Sequence, residues 1–152
     1  DMFAYKESTV AQIPVTEITN STLIKPQGRI FYAGNAASFS IDYCTMYGWG
    51  GSKAMLELGD KNTLGMSLAI KNTILANGGS NRKAHNANAA ANLSLTIEKV
   101  YGTNDMTFHS TLGDVTKYDK PSTEVFENPE EGNFKIIDVL FPSSIGDPRW
   151  TE

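Results

Sequence analysis

The feature that most constrains the fold is the long alternation of side chains in residues 37–51, ASFSIDYCTMYGWGG. On an extended strand, one side of this stretch carries Phe39, Ile41, Tyr43, Thr45 and Tyr47. Aromatic and β-branched residues suit a pleated, half-buried surface, so this side is expected to face the core. Glycine recurs in residues 48–51 and permits the chain to reverse, which predicts a hairpin whose second arm is residues 53–58.

Similar alternating segments, separated by turn signals, recur along most of the 152 residues. They predict an all-β chain, with residues 1–152 forming a single-domain antiparallel β-sandwich of about seven to nine strands. Residues 63–76 fit a strand better than a helix, and a helix there would make the fold α+β. Residues 93–98 predict a half-buried strand, whereas residues 133–141 are apolar on both faces and predict a central or covered strand.

Charge and hydropathy restrict the partners. The net charge of −4 argues against binding to nucleic acid, and no apolar run is long enough to span a membrane. Charged residues are only 20% of the chain, and neutral polar residues take their place. This balance favours an extracellular, cell-envelope or virion-surface protein. The tripeptides at 20–22 and 92–94 match the glycosylation motif.

The residues that could carry covalent chemistry do not form a motif. Cys44 is the only cysteine, and although Asp42 and His109 could approach it, the sequence supplies no group that would lower the pKa of the thiol. The two histidines lack the spacing of a zinc site, and the acidic residues of 114–131 lack that of a calcium loop. We therefore predict no catalytic residue, no metal, no cofactor and no enzymatic activity.

Aromatic residues and an asparagine-rich loop suggest a binding surface. Trp49 stands between glycines with little bulk to bury it, so its indole could offer a flat face to a sugar ring, with Tyr47 beside it. The alternative is that the indole folds back onto its own sheet. Residues 77–92 form a long polar loop containing Asn86 and Asn88. The predicted ligand-binding residues are Tyr47, Trp49, Asn86 and Asn88.

The N-terminal segment suggests assembly. Pro14 cannot donate to a ladder, so residues 9–18 predict an edge strand, with Val10, Ile13 and Val15 as its apolar contacts. Such a strand either completes its own sheet or, if residues 1–18 exchange, that of a neighbouring subunit.

Two functions follow from these patterns. The first is a non-enzymatic structural or adhesive subunit that assembles with copies of itself, or with another surface protein, through β edges and apolar surface. The second is a carbohydrate or small-ligand binding module.

Overall fold

The computed structural model describes residues 2–5, 13–59 and 63–151, and its strands wind into a β-solenoid. The strands of the two larger sheets pair in parallel, and a small antiparallel pair lies near the C-terminus. The predicted antiparallel β-sandwich is therefore wrong, although the structure is mostly β. The physical reason is that alternation marks a half-buried strand without showing whether the next strand returns beside it as a hairpin or one coil later.

Each of the first three coils has a short strand followed by a longer one. The first two coils contain β1 (Phe3–Tyr5) with β2 (Val15–Ile24), and β3 (Phe31–Ala33) with β4 (Ser38–Tyr47). The third contains β5 (Leu56–Leu58), β6 (Met66–Lys71) and β7 (Ile74–Ala76). The fourth contains β8 (Leu93–Glu98) and β9 (Tyr101–Gly102), and an incomplete fifth contains β10 (Thr116–Lys117).

The C-terminal segment, residues 118–151, leaves this winding. It contains the helix α1 (Ser122–Val125) and the antiparallel strands β11 (Phe126–Asn128) and β12 (Asn133–Ile136). Short 3₁₀ helices occur at Ala87–Ala89, Ser110–Leu112, Pro129–Glu131 and Pro148–Trp150. None of the helices in the described ranges has the length and apolarity to cross a membrane.

The coils stack in register. β1, β3 and β5 form the smaller sheet. In the larger sheet β2, β4, β6 and β8 succeed one another, and β7, β9 and β10 stack beside them. Val15 pairs with Ser38, Ser38 with Ser67, and Ser67 with Ser94, so the repeat is 23, then 29, then 27 residues. The large sheet thus holds its register while the connecting loops absorb the differences in length.

A column of left-handed residues forms one corner of the solenoid. Asn20, Tyr43, Asn72 and Lys99 have φ of 48°, 49°, 43° and 53° and recur at the same three spacings. Asparagine tolerates this conformation, but tyrosine and lysine adopt it less readily. The stacked sheet on either side therefore imposes the bend on all four coils.

The corner reverses the alternation of β4, which corrects the predicted core face. Phe39 and Ile41 are buried as expected, but Tyr43 is 42% exposed because it occupies the corner. Beyond it, Cys44 and Met46 point into the solenoid, and Tyr47 belongs to a second cluster outside the coils. The predicted hairpin with residues 53–58 is also wrong, because β4 pairs with β2, β6 and β7.

The interior is filled by equivalent residues of successive coils. Ile18, Ile41, Ile70 and Ile97 are in register, and the two central ones are fully buried. Beside them, the ring of Phe31 stacks on that of Phe39 with centroids 4.5 Å apart. Ile41 and Ile70 each pack between the equivalent residues of the coil before and the coil after, which is how a solenoid builds one continuous core.

Two other strand predictions have different outcomes. Residues 63–76 contain β6 and β7, so the strand interpretation is confirmed and the helical alternative is wrong. In residues 133–141, β12 ends at Ile136, and Val139 and Leu140 are exposed. This stretch is therefore not a central strand. Its Phe134 and Phe141 instead pack in the second cluster.

The C-terminal segment covers one outer surface of the coils. Phe126, Phe134 and Ile145 pack against Tyr47 and Ile74. The indole Nε1 of Trp150 donates to Thr22 Oγ1 at 2.7 Å, and Thr22 Oγ1 donates to the buried carboxylate of Asp147 at 2.7 Å. This segment therefore contacts the first, second and third coils at once.

Candidate functional site

Both predicted aromatic ligand residues are buried. Trp49 is 0% exposed, lies in the interior cluster, and its Nε1 donates to the carbonyl of Gly28 at 3.1 Å. Tyr47 is covered by the C-terminal segment, and its hydroxyl contacts Glu130 and Asn77. The expectation that Trp49 presents an exposed flat face is therefore wrong. Its neighbouring glycines let the turn approach closely instead of leaving the ring uncovered.

The predicted asparagines hold the coils together. The amide of Asn86 accepts from Leu58 N–H at 3.1 Å and donates to Leu58 C=O at 3.0 Å. Asn88 Nδ2 donates to the same carbonyl at 3.2 Å. The side-chain amides thus satisfy the backbone N–H and C=O groups of Leu58, at the end of β5, as the backbone of a neighbouring strand would. Asn86 nevertheless borders a cleft, described below, whereas Tyr47, Trp49 and Asn88 are not among its lining residues.

Cys44 is sequestered in the interior. Its Sγ contacts the carbonyls of Ile18 and Asp42, and burial raises the pKa of the thiol to about 11. A thiol with so high a pKa is protonated at neutral pH and is a poor nucleophile. The side chain of His109 contacts Ser110 and Thr111, whereas that of Cys44 contacts Ile18 and Asp42, so the structure does not assemble a Cys-His-Asp group.

The described ranges also contain no group of three acidic, histidine or cysteine side chains arranged as metal ligands.

Two of the three predicted assembly residues, Ile13 and Val15, belong to the first coil. Val10 lies outside the described residues, while Ile13 and Val15 are 54% and 63% exposed. Further exposed apolar side chains of this coil are Met2, Phe3 and Ile24. Among the described coils this outermost one has an apolar outer surface, whereas an outermost solenoid repeat usually has a polar one.

The first coil also exposes a long strand edge. β2 pairs with β4 along one edge, from Val15 to Ile24, and no described strand lies along its other edge. At the opposite end of the described coils, β8 also has no described strand along its outer edge, but its exposed residues, Ser94, Thr96 and Glu98, are polar. Among the described residues, only the first coil combines an open edge with large exposed apolar side chains.

A cleft lined by both polar and apolar side chains lies on the smaller-sheet side of the third to fifth coils. It has a volume of about 390 Å³, and its lining includes Glu57, Lys83, His85, His109 and Thr111. A parallel backbone bridge pairs His85 with Leu56 and so places His85 beside β5. Ala84 N–H donates to Thr111 Oγ1 at 3.0 Å and links the fourth coil to the fifth.

The sequence interpretation missed both the cleft and the repeat that creates it. His85 and His109 are separated by 24 residues, close to one coil, but as a pair the sequence interpretation compared them only as zinc ligands. The available signal was the recurrence of an isoleucine five residues before a leucine or methionine: Ile18 with Leu23, Ile41 with Met46, and Ile70 with Leu75. Spacings of this kind between equivalent residues indicate coils.

Comparison with known proteins gives one family. A family model described as "Domain of unknown function (DUF5123)" matches residues 39–150. No curated protein and no solved structure matches the chain. The matched region begins in β4 and therefore contains the cleft but not the first coil.

Proposed function

The chain belongs to this family, whose description states no function, and we propose that it is a structural subunit that assembles by pairing its first coil with that of a second copy. The observation that carries the proposal is the open edge of β2 beside exposed apolar side chains. Unpaired strand edges are templates for pairing with another chain. Because β2 pairs with β4 of its own chain, the proposal places assembly on the outer edge of β2, without exchange of residues 1–18.

The bend of β2 supports one arrangement of the two copies. A two-fold axis that passes between Thr19 and Asn20, beside the corner, maps the bent strand onto itself in the opposite direction. The two strands then pair antiparallel, with Thr19 opposite Asn20 of the second copy. Such an interface is isologous and closed, as in most homodimers. Open-ended growth through this edge is not expected.

This arrangement keeps the two faces of the sheet matched. Because the corner reverses the alternation, Ile18 and Leu23 both point into the interior, although one residue number is even and the other odd. Around the proposed axis, Thr16 lies opposite Leu23, and Ile18 opposite Ser21. Interior residues of one copy thus meet interior residues of the other, and the core continues across the interface.

The outer face is complementary in the same register. Val15, which is 63% exposed, lies opposite Ile24, which is 53% exposed. Glu17 lies opposite Thr22 of the second copy, so the Glu17 carboxylates of the two copies do not face each other across the strands. Burying a valine or isoleucine side chain contributes about 1.5–3 kcal/mol, and the dimer buries two of each. Association costs at least several kcal/mol, so we expect a moderate affinity.

We place this subunit at the cell surface, in the cell envelope or on a virion. The support is its composition, in which only 20% of the residues are charged and neutral polar residues are abundant. Another surface protein with an open strand edge is the alternative partner.

Disulfide trapping tests both the partner and the register. Two single variants, Val15→Cys and Ile24→Cys, are purified separately, mixed and oxidised mildly. The proposed register brings these positions within the Cα separation of about 4.4–6.8 Å that a disulfide requires. We therefore expect a cross-linked dimer from the mixture and little from either variant alone. In the proposed register each position is far from the same position in the second copy. The buried Cys44 is not expected to react.

Light scattering during size-exclusion chromatography supplies the second measurement. The wild type is expected to be dimeric at high concentration, and Val15→Lys/Ile24→Lys monomeric with an unchanged circular dichroism spectrum. The matched control is Val139→Lys, which places the same charge at a residue that is 94% exposed in the C-terminal segment. A monomeric wild type, or equal cross-linking of each variant with itself, would contradict the proposal.

A further inference from the structure

The cleft carries more positive charge than the chain as a whole, whose net charge is −4. Its carboxylate, Glu57, is already paired with Arg29 at 3.0 Å and with Lys53 at 3.8 Å. Lys83 is exposed, and its ammonium pairs with no carboxylate of the described residues. An anionic group that entered the cleft would therefore find an ammonium group that is not already neutralised.

The two imidazoles offer opposite hydrogen-bonding groups. His85 Nδ1 lies 2.8 Å from the carbonyl oxygen of Asn86, which can only accept, so Nδ1 carries the hydrogen and Nε2 of the neutral ring is an acceptor. His109 Nδ1 accepts from Thr111 N–H at 3.2 Å, so the hydrogen of this ring is on Nε2, which is a donor. Neither Nε2 has a hydrogen-bond partner among the described residues.

A hydroxylated ligand uses both groups, since each hydroxyl both donates and accepts. Small side chains, those of Ala54, Ala87 and Ala90, line the same cleft and leave room for a ring. The volume of about 390 Å³ lies at the lower end of the range for small-molecule sites and is sufficient for a monosaccharide. We propose that the cleft between His85, His109 and Lys83 binds a sugar acid, as a free monosaccharide or as part of an acidic polysaccharide.

This proposal is independent of the assembly proposal, because the cleft uses the third to fifth coils and the dimer uses the first. A failure of one leaves the other standing. The sequence-based expectation of carbohydrate binding is thus retained as a hypothesis, but its site moves from Trp49 to this cleft.

The test is a titration of the intact protein with sodium D-glucuronate, followed by nuclear magnetic resonance shifts and calorimetry. D-Glucose and sodium acetate are titrated in parallel, and each should bind at least about tenfold more weakly, because each lacks one of the two kinds of contact. Equal binding of acetate would indicate a general anion site and overturn the proposal, as would the absence of glucuronate binding at 50-fold excess over about 1 mM protein.

Variants locate the site. Lys83→Ala should weaken glucuronate binding about tenfold. His109→Asn keeps a side-chain acceptor for Thr111 N–H but removes the Nε2 donor, so it too should weaken binding with the fold intact. The control Lys117→Ala removes an exposed lysine of β10 and should change binding less than twofold. Unchanged affinity in Lys83→Ala would overturn the proposal.

Oligogalacturonate distinguishes the two sources of the ligand. Tighter binding of trigalacturonate than of D-galacturonate would identify an acidic polysaccharide, and equal binding would identify the free sugar acid. Both results support the proposed class. Binding of neither compound would contradict it.

Discussion

Replacing Ile41 by alanine tests the stacked interior most directly. Ile41 is fully buried and lies in register between Ile18 of the first coil and Ile70 of the third. The substitution removes three carbons, which at about 0.8 kcal/mol each corresponds to about 2.4 kcal/mol of transfer free energy. Backbone hydrogen bonds hold the neighbouring coils about 4.8 Å apart, so the cavity cannot collapse fully. We expect a total loss of about 3–4 kcal/mol, within the usual range of about 2–5 kcal/mol.

The assay is urea unfolding followed by far-ultraviolet circular dichroism, with Ile97→Ala as the matched control. Ile97 belongs to the same column but is only partly buried, and it has a neighbouring coil in register on one side, at Ile70. Its replacement should therefore cost about half as much. Equal losses at the two positions would refute the argument that packing between coils, and not hydrophobicity alone, stabilises this column.

Two further predictions concern buried polar groups. Burial alone would raise the pKa of Asp147, but hydrogen bonds from Arg149 and Thr22 lower it by more than burial raises it. The pKa of Asp147 in the folded protein therefore lies below its ordinary value. Its stabilising contribution is therefore full above the unfolded pKa and lost as the pH falls through the folded one, and Asp147→Asn should flatten the acid side of the stability profile measured by urea unfolding. The Cys44 thiol, whose pKa burial raises to about 11, should react with Ellman's reagent at pH 8 only on unfolding; rapid reaction of the native protein would contradict its burial.

The sequence predicted local extension better than connectivity. The burial of Phe39 and Ile41 on one face of a strand and the strand interpretation of residues 63–76 depend on neighbouring residues alone, and both are confirmed. Parallel pairing at a distance of 23 to 29 residues depends on the return path of the chain, which alternation does not encode. The left-handed corner at Tyr43 was unpredictable from its residue type, because the adjacent coils impose it.

The candidate sites follow the same division. The edge position of residues 9–18 was inferred from Pro14, and the described part of that stretch does lie at the edge of its sheet. The exposure of Trp49 was inferred from neighbouring glycines and failed, because burial is a property of the stacked coils. The cleft required His85 and His109 to be compared one coil apart, which presupposes the solenoid.

The C-terminal segment has a consequence for how the molecule unfolds. In a plain solenoid each coil contacts only its neighbours, so the array can fray from an end one coil at a time. Here Trp150 and Asp147 reach Thr22 of the first coil across 128 and 125 residues, while the same segment packs on Tyr47 and Ile74 of the next two. Loss of the first coil therefore also releases contacts made by the end of the chain. Because the C-terminal segment contacts the first three coils together, these coils should unfold in one cooperative transition and not in succession.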